Sequence, residues 1–280
     1  SGRASLETSY MFQLLARMYG TNNLPDSSNM CHESTSVALP ESIGVSVGTV
    51  SLQDFEQADL LLYIAHNPAT SAPRILHQLQ EAVQRGARIV GINPLRERGL
   101  ERFINPQDPV QMATGKETVI CDTIHQVRNG GDIAFLTGVC KALILADDAL
   151  QSLGAAGPTD RDALLAATQN DAGFSIKAAA AGAKSRRLLD HDFIATHTQG
   201  FDAFAQYCRS ADWAELERVS GLPREQMKSL ADAYAGANAV MAMYGMGLTQ
   251  HVGGVQGVHM VTNLLLLRGN IGKPGAAICP

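Results

Sequence analysis

Two nearly unbroken apolar runs, "DLLLYIA" at 59–65 and "RIVGIN" at 88–93, constrain this chain more than any other feature. They show no alternation of apolar and polar residues, so both faces of each strand must be covered, as in a parallel sheet with helices on either side. Between them "APRILHQLQEAVQRGA" sets Ile75, Leu76, Leu79 and Val83 on one helical face, with Pro73 at the first turn and Gly86 at the stop. The unit reads β-α-β. Further on, "TVICDTIHQV" (118–127) reads as a third short strand, and "GDIAFLTGVCKALILADDAL" (131–150) as a strong helix with Phe135, Val139, Leu143 and Ile144 on one side. Helices are expected at "HDFIATHTQGFDAFAQYCRS" (191–210) and "PREQMKSLADAYAGA" (223–237), then a buried strand in "AVMAMYGMG" (239–247) and a helix in "GVQGVHMVTNLLLLRGN" (254–270). Residues 151–190, rich in Ala, Gly and Asp, read as an excursion of helices and loop outside the sheet, and no internal repeat is present. The alternation predicts an α/β fold: a doubly wound, mainly parallel sheet flanked by helices.

Near the start, "LETSYMFQLLARMYG" repeats Met11, Leu14, Leu15 and Met18 at helical spacing and meets Gly20. "TNNLPDSSNMCHESTS" then breaks all periodicity with turn-forming residues, leaving Cys31 and His32 on, or leaving, a loop.

Composition excludes several functions. A net charge of -5, with no Lys/Arg run longer than two, offers neither a nucleic-acid footprint nor a polybasic membrane patch. The longest apolar run, "LLLL", is too short to span a bilayer, and "SGRASLETSY" lacks a signal-peptide pattern. The 5 cysteines, Cys31, Cys121, Cys140, Cys208 and Cys279, are scattered and never form C-x-x-C, which fits a reducing, cytoplasmic setting. A chain that opens without Met and ends on "AAICP" is expected to be a fragment of a longer one.

In open α/β sheets ligands sit at the carboxyl ends of the strands. Four loops occupy that place: "HNPATS" (66–71), "NPLRER" (93–98), "RNGGD" (128–132) and "GMGLTQHVGG" (245–254). Each joins a residue able to hydrogen-bond a sugar or base edge, namely Asn67, Asn93, Asp132 or Gln250, to Pro or to glycines such as Gly131, Gly245 and Gly247. Glycines there let the backbone approach a ligand or hold a tight turn. A nucleotide-sized ligand accounts for the set, although turn chemistry alone explains any one loop. No G-x-G-x-x-G or G-x-x-x-x-G-K-[ST] occurs, which disfavours standard dinucleotide and P-loop sites. A lone cysteine is ordinarily a small buried hydrophobe. The loop position of Cys31, with His32 adjacent, sets it apart from Cys140 and Cys208 in helical patterns and Cys121 in a strand.

Together, "GTNNLPDSSNMCHESTSVALPESIG", "NPATSAPRI", "GGDIAFLTGVCKAL" and "GMGLTQHVGGVQGVHMVTNLLLLRGNIGKPGA" resemble the bis-molybdopterin guanine dinucleotide oxidoreductases, in their formate dehydrogenase alpha-chain-like branch, from Ser1 to Pro280. The resemblance implies that Cys31 is a molybdenum ligand and His32 a catalytic neighbour. Asn67, Asn93, Arg96 and Asp132, with Gly131, match positions around the phosphates, ribose and guanine of one cofactor arm. Gly245, Met246, Gly247 and Gln250 match positions near the pterin. Asn93 stands where many relatives carry Asp, and Leu6 where they often carry Asn. The resemblance further implies that residues 1–30 are the tail of a discontinuous neighbouring domain and 31–280 a Rossmann-like cofactor domain. The substrate-orienting arginine, the second cofactor domain and any 4Fe-4S segment would lie outside the chain. On this reading the chain is the central domain of a molybdenum enzyme that oxidises a small-molecule substrate by two electrons and passes them to a partner, and it is inactive alone. Two rivals remain open: a non-catalytic module that holds or delivers the pterin, and an enzyme using another nucleotide on the same fold.

Overall fold

The computed structural model describes residues 4–24, 31–121, 123–154 and 188–280, so the expected excursion at 151–190 falls mostly outside the described residues. In chain order, α1 (Leu6–Met18) and α2 (Glu33–Ile43) precede β1 (Leu60–Ile64), α3 (Pro68–Ser71), α4 (Ile75–Gln84), β2 (Arg88–Ile92) and α5 (Arg98–Glu101). Next come β3 (Arg102–Phe103), α6 (Pro109–Thr114), β4 (Thr118–Val119), β5 (Thr123–His125) and α7 (Asp132–Gly154). The remainder holds α8 (His191–His197), α9 (Phe201–Ser210), α10 (Trp213–Ser220), α11 (Arg224–Gly236), β6 (Val240–Tyr244), α12 (Met246–Thr249), α13 (Gly254–Leu266) and β7 (Ala277–Cys279).

The main sheet runs β5-β2-β1-β6-β7 with every pairing parallel. From β1 the chain builds outward through β2 to β5, then returns to lay β6 and β7 on the opposite side of β1. Strand order therefore reverses between β1 and β6, and the crevice beyond their carboxyl ends is the place where such sheets receive ligands. Ala65 and His66 leave β1 there, and Gly245 and Met246 leave β6.

Burial on two faces explains the unbroken apolar strands. Leu60, Leu62 and Ile64, with Val240, Ala242 and Tyr244, join a core shared with Phe135, Val139 and Leu143 of α7, Tyr234 of α11 and Val261 of α13. The intervening Leu61, Tyr63, Met241 and Met243 join a second core, against Leu76, Leu79 and Ala82 of α4 and Leu100 of α5. Each fully buried aliphatic side chain contributes about 1.5–3 kcal/mol.

Three local expectations are corrected. The single helix expected over 191–210 is two: α8 ends at the Thr198 cap, and Gly200, at φ +76°, turns the chain into α9. "TVICDTIHQV" divides into β4, which pairs antiparallel with β3, and β5, which alone joins the main sheet. The α4 helix begins at Ile75, with Pro73 in the turn before it. The sequence reading does not anticipate α2 and α10, nor the short helices α3, α5, α6 and α12 and the short strands β3 and β7.

Asp147, whose side chain is 2% exposed, fastens the returning chain to α7. Its Oδ1 accepts from the backbone N–H groups of Leu188 (2.9 Å) and Leu189 (3.1 Å). Its Oδ2 accepts from Gln151 (2.6 Å) and lies 2.7 Å from His191 Nε2. At the other end, α1 exposes Leu6, Tyr10, Met11, Phe12, Leu15 and Met18. Among the described residues no helix is long and apolar enough to cross a membrane.

Leu62 sits at 0% exposure on the central strand. Leu62→Ala is expected to lower unfolding free energy by about 2–5 kcal/mol, through lost burial and the cavity left behind. Urea titration of the chain followed by circular dichroism checks this, and a loss below about 1 kcal/mol would contradict the packing described.

Candidate functional site

The site begins at the N-terminus of α2, where His32 is the N-cap residue and Glu33 lies in the first turn, favourably placed for the helix dipole. Ala38 and Leu39 are its fully buried anchors, Pro40 falls where little of the helix remains to be disrupted, and Gly44 closes it at φ +80°. α2 packs along α13, where His259 reaches Ser42 Oγ (3.0 Å) through Nδ1 and Glu41 Oε2 (3.0 Å) through Nε2.

A clasp ties Cys31 to the loop after β6. The Thr249 hydroxyl donates to the Cys31 carbonyl (2.7 Å), and the Ser34 hydroxyl donates to the Thr249 carbonyl (2.8 Å). Cys31 Sγ consequently lies 3.6 Å from Met246 Sδ, and Gln250 Nε2 lies 3.7 Å from the same sulfur. Beside them opens a cavity of about 410 Å³ lined by Cys31, Glu33, Ser34, Thr249, Gln250 and His251. Cys31 is thus brought together with Met246 and Gln250 from the far end of the chain. Glu33 and His251 were not singled out in the sequence, because neither sits in a patterned position.

The other loops complete the crevice. Asn67 Oδ1 accepts from the Ala69 and Thr70 N–H groups at the start of α3, while its Nδ2 donates to Glu97 Oε1 (3.0 Å). Asn93 Nδ2 donates to the other oxygen of Glu97 (3.0 Å) and to the Leu95 carbonyl (2.8 Å). Glu97 therefore cross-links the two asparagines, a role that no sequence signal marked. Arg96 pairs with Glu101 and is 54% exposed.

His66 joins the two halves of the crevice. Burial pushes its pKa down and the neighbouring His32 adds to the effect, against the Tyr244 carbonyl and Glu97, which raise it. Neither of its buried ring nitrogens has a partner in hydrogen-bonding geometry among the described residues. Asp132, the first residue of α7, is 5% exposed and its Oδ1 has no hydrogen-bond partner among the described residues. Burial raises its pKa, while its own backbone N–H and His251 lower it.

The glycines serve chain-to-chain contact. A Cβ on Gly247 would stand 2.8 Å from Ala65 Cβ, and one on Gly245 would stand 3.1 Å from the Ala65 carbonyl oxygen. Ala65 itself adopts φ +50°, a conformation that costs a non-glycine residue energy and that surrounding structure must hold. A Cβ on Gly131 would lie 2.9 Å from Ser220 Cα, so this glycine lets α10 close against the start of α7.

These observations fit a large cofactor that brings its own metal. Among the described residues no group of three or more His, Cys, Asp or Glu could hold a metal ion, so Cys31 would be a lone protein ligand with the other donors supplied from elsewhere. The orphaned Asp132 and His66 atoms are buried polar groups that a ligand would satisfy.

Asp132 carries a sign for pH dependence. Its folded pKa is raised, so above the carboxylate range the folded chain bears the cost of a buried charge. Below that range the group is neutral both folded and unfolded, and the cost vanishes. Asp132→Asn is therefore expected to raise the melting temperature of cofactor-free protein at pH 7, with the gain shrinking as pH falls, and to reduce retained cofactor. Thermal melts across pH check this; a variant less stable at pH 7 contradicts it.

Comparison with known proteins adds the family. The molybdopterin oxidoreductase family model matches residues 1–278. The chain is 49% identical over 280 residues to Protein YdeP of Escherichia coli (strain K12), covering 100% of this chain and 33% of that protein. It is 24% identical over 275 residues to Formate dehydrogenase H of the same organism, covering 98% of this chain and 30% of that one. The chain thus spans about a third of the length of these curated relatives. Among solved structures, Acetylene Hydratase from Pelobacter acetylenicus shares the fold with a TM-score of 0.64 at 15% identity, over 96% of this chain and 29% of that one. With the sulfur pair at the strand-order reversal and a family model that spans nearly every residue, the chain belongs to the molybdopterin oxidoreductase family.

Proposed function

We propose that the intact protein is a formate-dehydrogenase-like molybdenum oxidoreductase carrying the bis-molybdopterin guanine dinucleotide form of the cofactor, with Cys31 as the protein ligand to the metal. The observation that carries this reading is the placement of Cys31 Sγ, 3.6 Å from Met246 Sδ, beside the cavity between the start of α2 and the loop that leaves β6. When bound, the metal centre supplies the two-electron acceptor for a small-molecule substrate.

The chain's own residues bind and orient. A cysteine thiolate is the soft donor that suits a sulfur-rich metal site. Met246 and Gln250 flank the pterin side of Cys31. Asp132, through its unpartnered Oδ1, accepts from an N–H or hydroxyl of the guanine nucleotide. Asn67 and Asn93, braced by Glu97, meet the ribose, with Gly131, Gly245 and Gly247 shaping the loops around the arm. Arg96 reaches a phosphate by exchanging Glu101 for it, an exchange that its exposure permits. His32 assists beside the metal. Residues 31–280 form the Rossmann-like cofactor domain, and residues 1–30 belong with a neighbouring domain that covers α1; the exposed Leu6, Met11, Phe12 and Met18 support this division. Electrons leave to a transfer partner. A cytoplasmic location accords with the free cysteines.

The test uses full-length protein: molybdenum by metal analysis, pterin by fluorescence after oxidation, and formate-dependent viologen reduction. Wild type is expected to carry both and reduce dye, and Cys31→Ala to lose turnover while keeping its fold. Normal turnover and molybdenum content in Cys31→Ala would refute the ligand role. A cofactor-loaded wild type that reduces nothing would indicate a delivery module, and a released nucleotide other than a guanine-containing pterin would indicate a different enzyme.

A further inference from the structure

Behind His32 lies a short chain of hydrogen bonds that runs into the sheet. Tyr244, the last residue of β6, is 1% exposed, and its hydroxyl lies 2.9 Å from Thr35 Oγ1. Thr35, 2% exposed in the first turn of α2, lies in turn 3.2 Å from His32 Nδ1. Each hydroxyl has a single proton, but its oxygen can accept more than once, so the protons along the chain have three possible arrangements.

If His32 Nδ1–H donated to Thr35, either Thr35 would donate to Tyr244 and strand the Tyr244 proton, or Tyr244 would also donate to Thr35 and strand the Thr35 proton, neither having another acceptor among the described residues. A buried donor without an acceptor costs about 1–3 kcal/mol. In the third arrangement Tyr244 donates to Thr35 and Thr35 donates to Nδ1, so both buried hydroxyl protons are used and only the ring proton on Nε2 is left for another partner. Burial pushes the Tyr244 pKa up to about 12, so its proton is present at any working pH.

We propose that Tyr244 and Thr35 are positioning residues that hold His32 Nδ1 as an acceptor, so that the neutral ring carries its proton on Nε2 and acts at the site as a hydrogen-bond donor through that atom. Nε2 has no protein partner among the described residues and is therefore free to engage a substrate or cofactor oxygen. This rests on the reading of His32 as a site residue. It goes beyond that reading in assigning the side of the ring that works, what it does, and the two residues that set it.

The test is solid-state nitrogen NMR of full-length protein labelled at histidine, with the His32 signals identified by their loss in His32→Asn. The expected result is an unprotonated Nδ1 and a protonated Nε2, with the Nδ1 signal displaced in Thr35→Val and restored in Thr35→Ser. Where dye-linked turnover is present, Thr35→Val is expected to lower it ~10- to 100-fold, with Thr35→Ser recovering most of it. A protonated Nδ1 in the wild type, or an Nδ1 signal unmoved by Thr35→Val, overturns the proposal. Protein that lacks molybdenum and pterin would end the cofactor reading, yet its nitrogen spectrum still decides the proton's place.

Discussion

The Thr249 hydroxyl, bonded to the Cys31 carbonyl, joins two stretches of chain 218 residues apart, and the return bond from Ser34 to the Thr249 carbonyl prevents either from rotating about the other. That pair adds to the Thr35 contact with Tyr244 in registering the start of α2 against the sheet. With it, the cysteine is held beside the loop that leaves β6. The sheet supplies the reason this location matters: strand order reverses between β1 and β6, so loops on either side of the reversal part and leave room between them.

Strain and close packing support the same place. Ala65 stays at φ +50° because Gly245 and Gly247 leave no side-chain atoms to push it away. The two loops therefore meet backbone to backbone and can hold little independent motion. A site built on such a contact is preorganised, and its polar orphans, the His66 ring nitrogens and Asp132 Oδ1, are buried at an energetic cost that a hydrogen-bonding ligand would recover.

Much of this was legible in the sequence, for identifiable reasons. Residues 60–64 and 240–244 are apolar at every position because both faces are buried, and that pattern is unmistakable. Asn67, Asn93, Asp132 and Gln250 could be named because loops after parallel strands face ligands as a rule of the fold, whereas Met246 was implied only by the family resemblance. Other features could not be read. α2 is polar and contains Pro40, and it holds through its packing on α13, so no local pattern announced it. Gly131 was assigned to ligand approach or a turn, whereas its space is taken by Ser220, a contact across 89 residues that only the folded chain reveals. Glu97 resembles any surface glutamate until the two asparagines close on its oxygens.

Asp147 bears on how a chain of this kind can vary. Because one carboxylate gathers the Leu188 and Leu189 amides and faces His191, the polypeptide re-enters the core at a point fixed by α7 itself. Loss of that one carboxylate would release two amides and an imidazole together, so the seating of α8 against α7 is exposed to a single substitution.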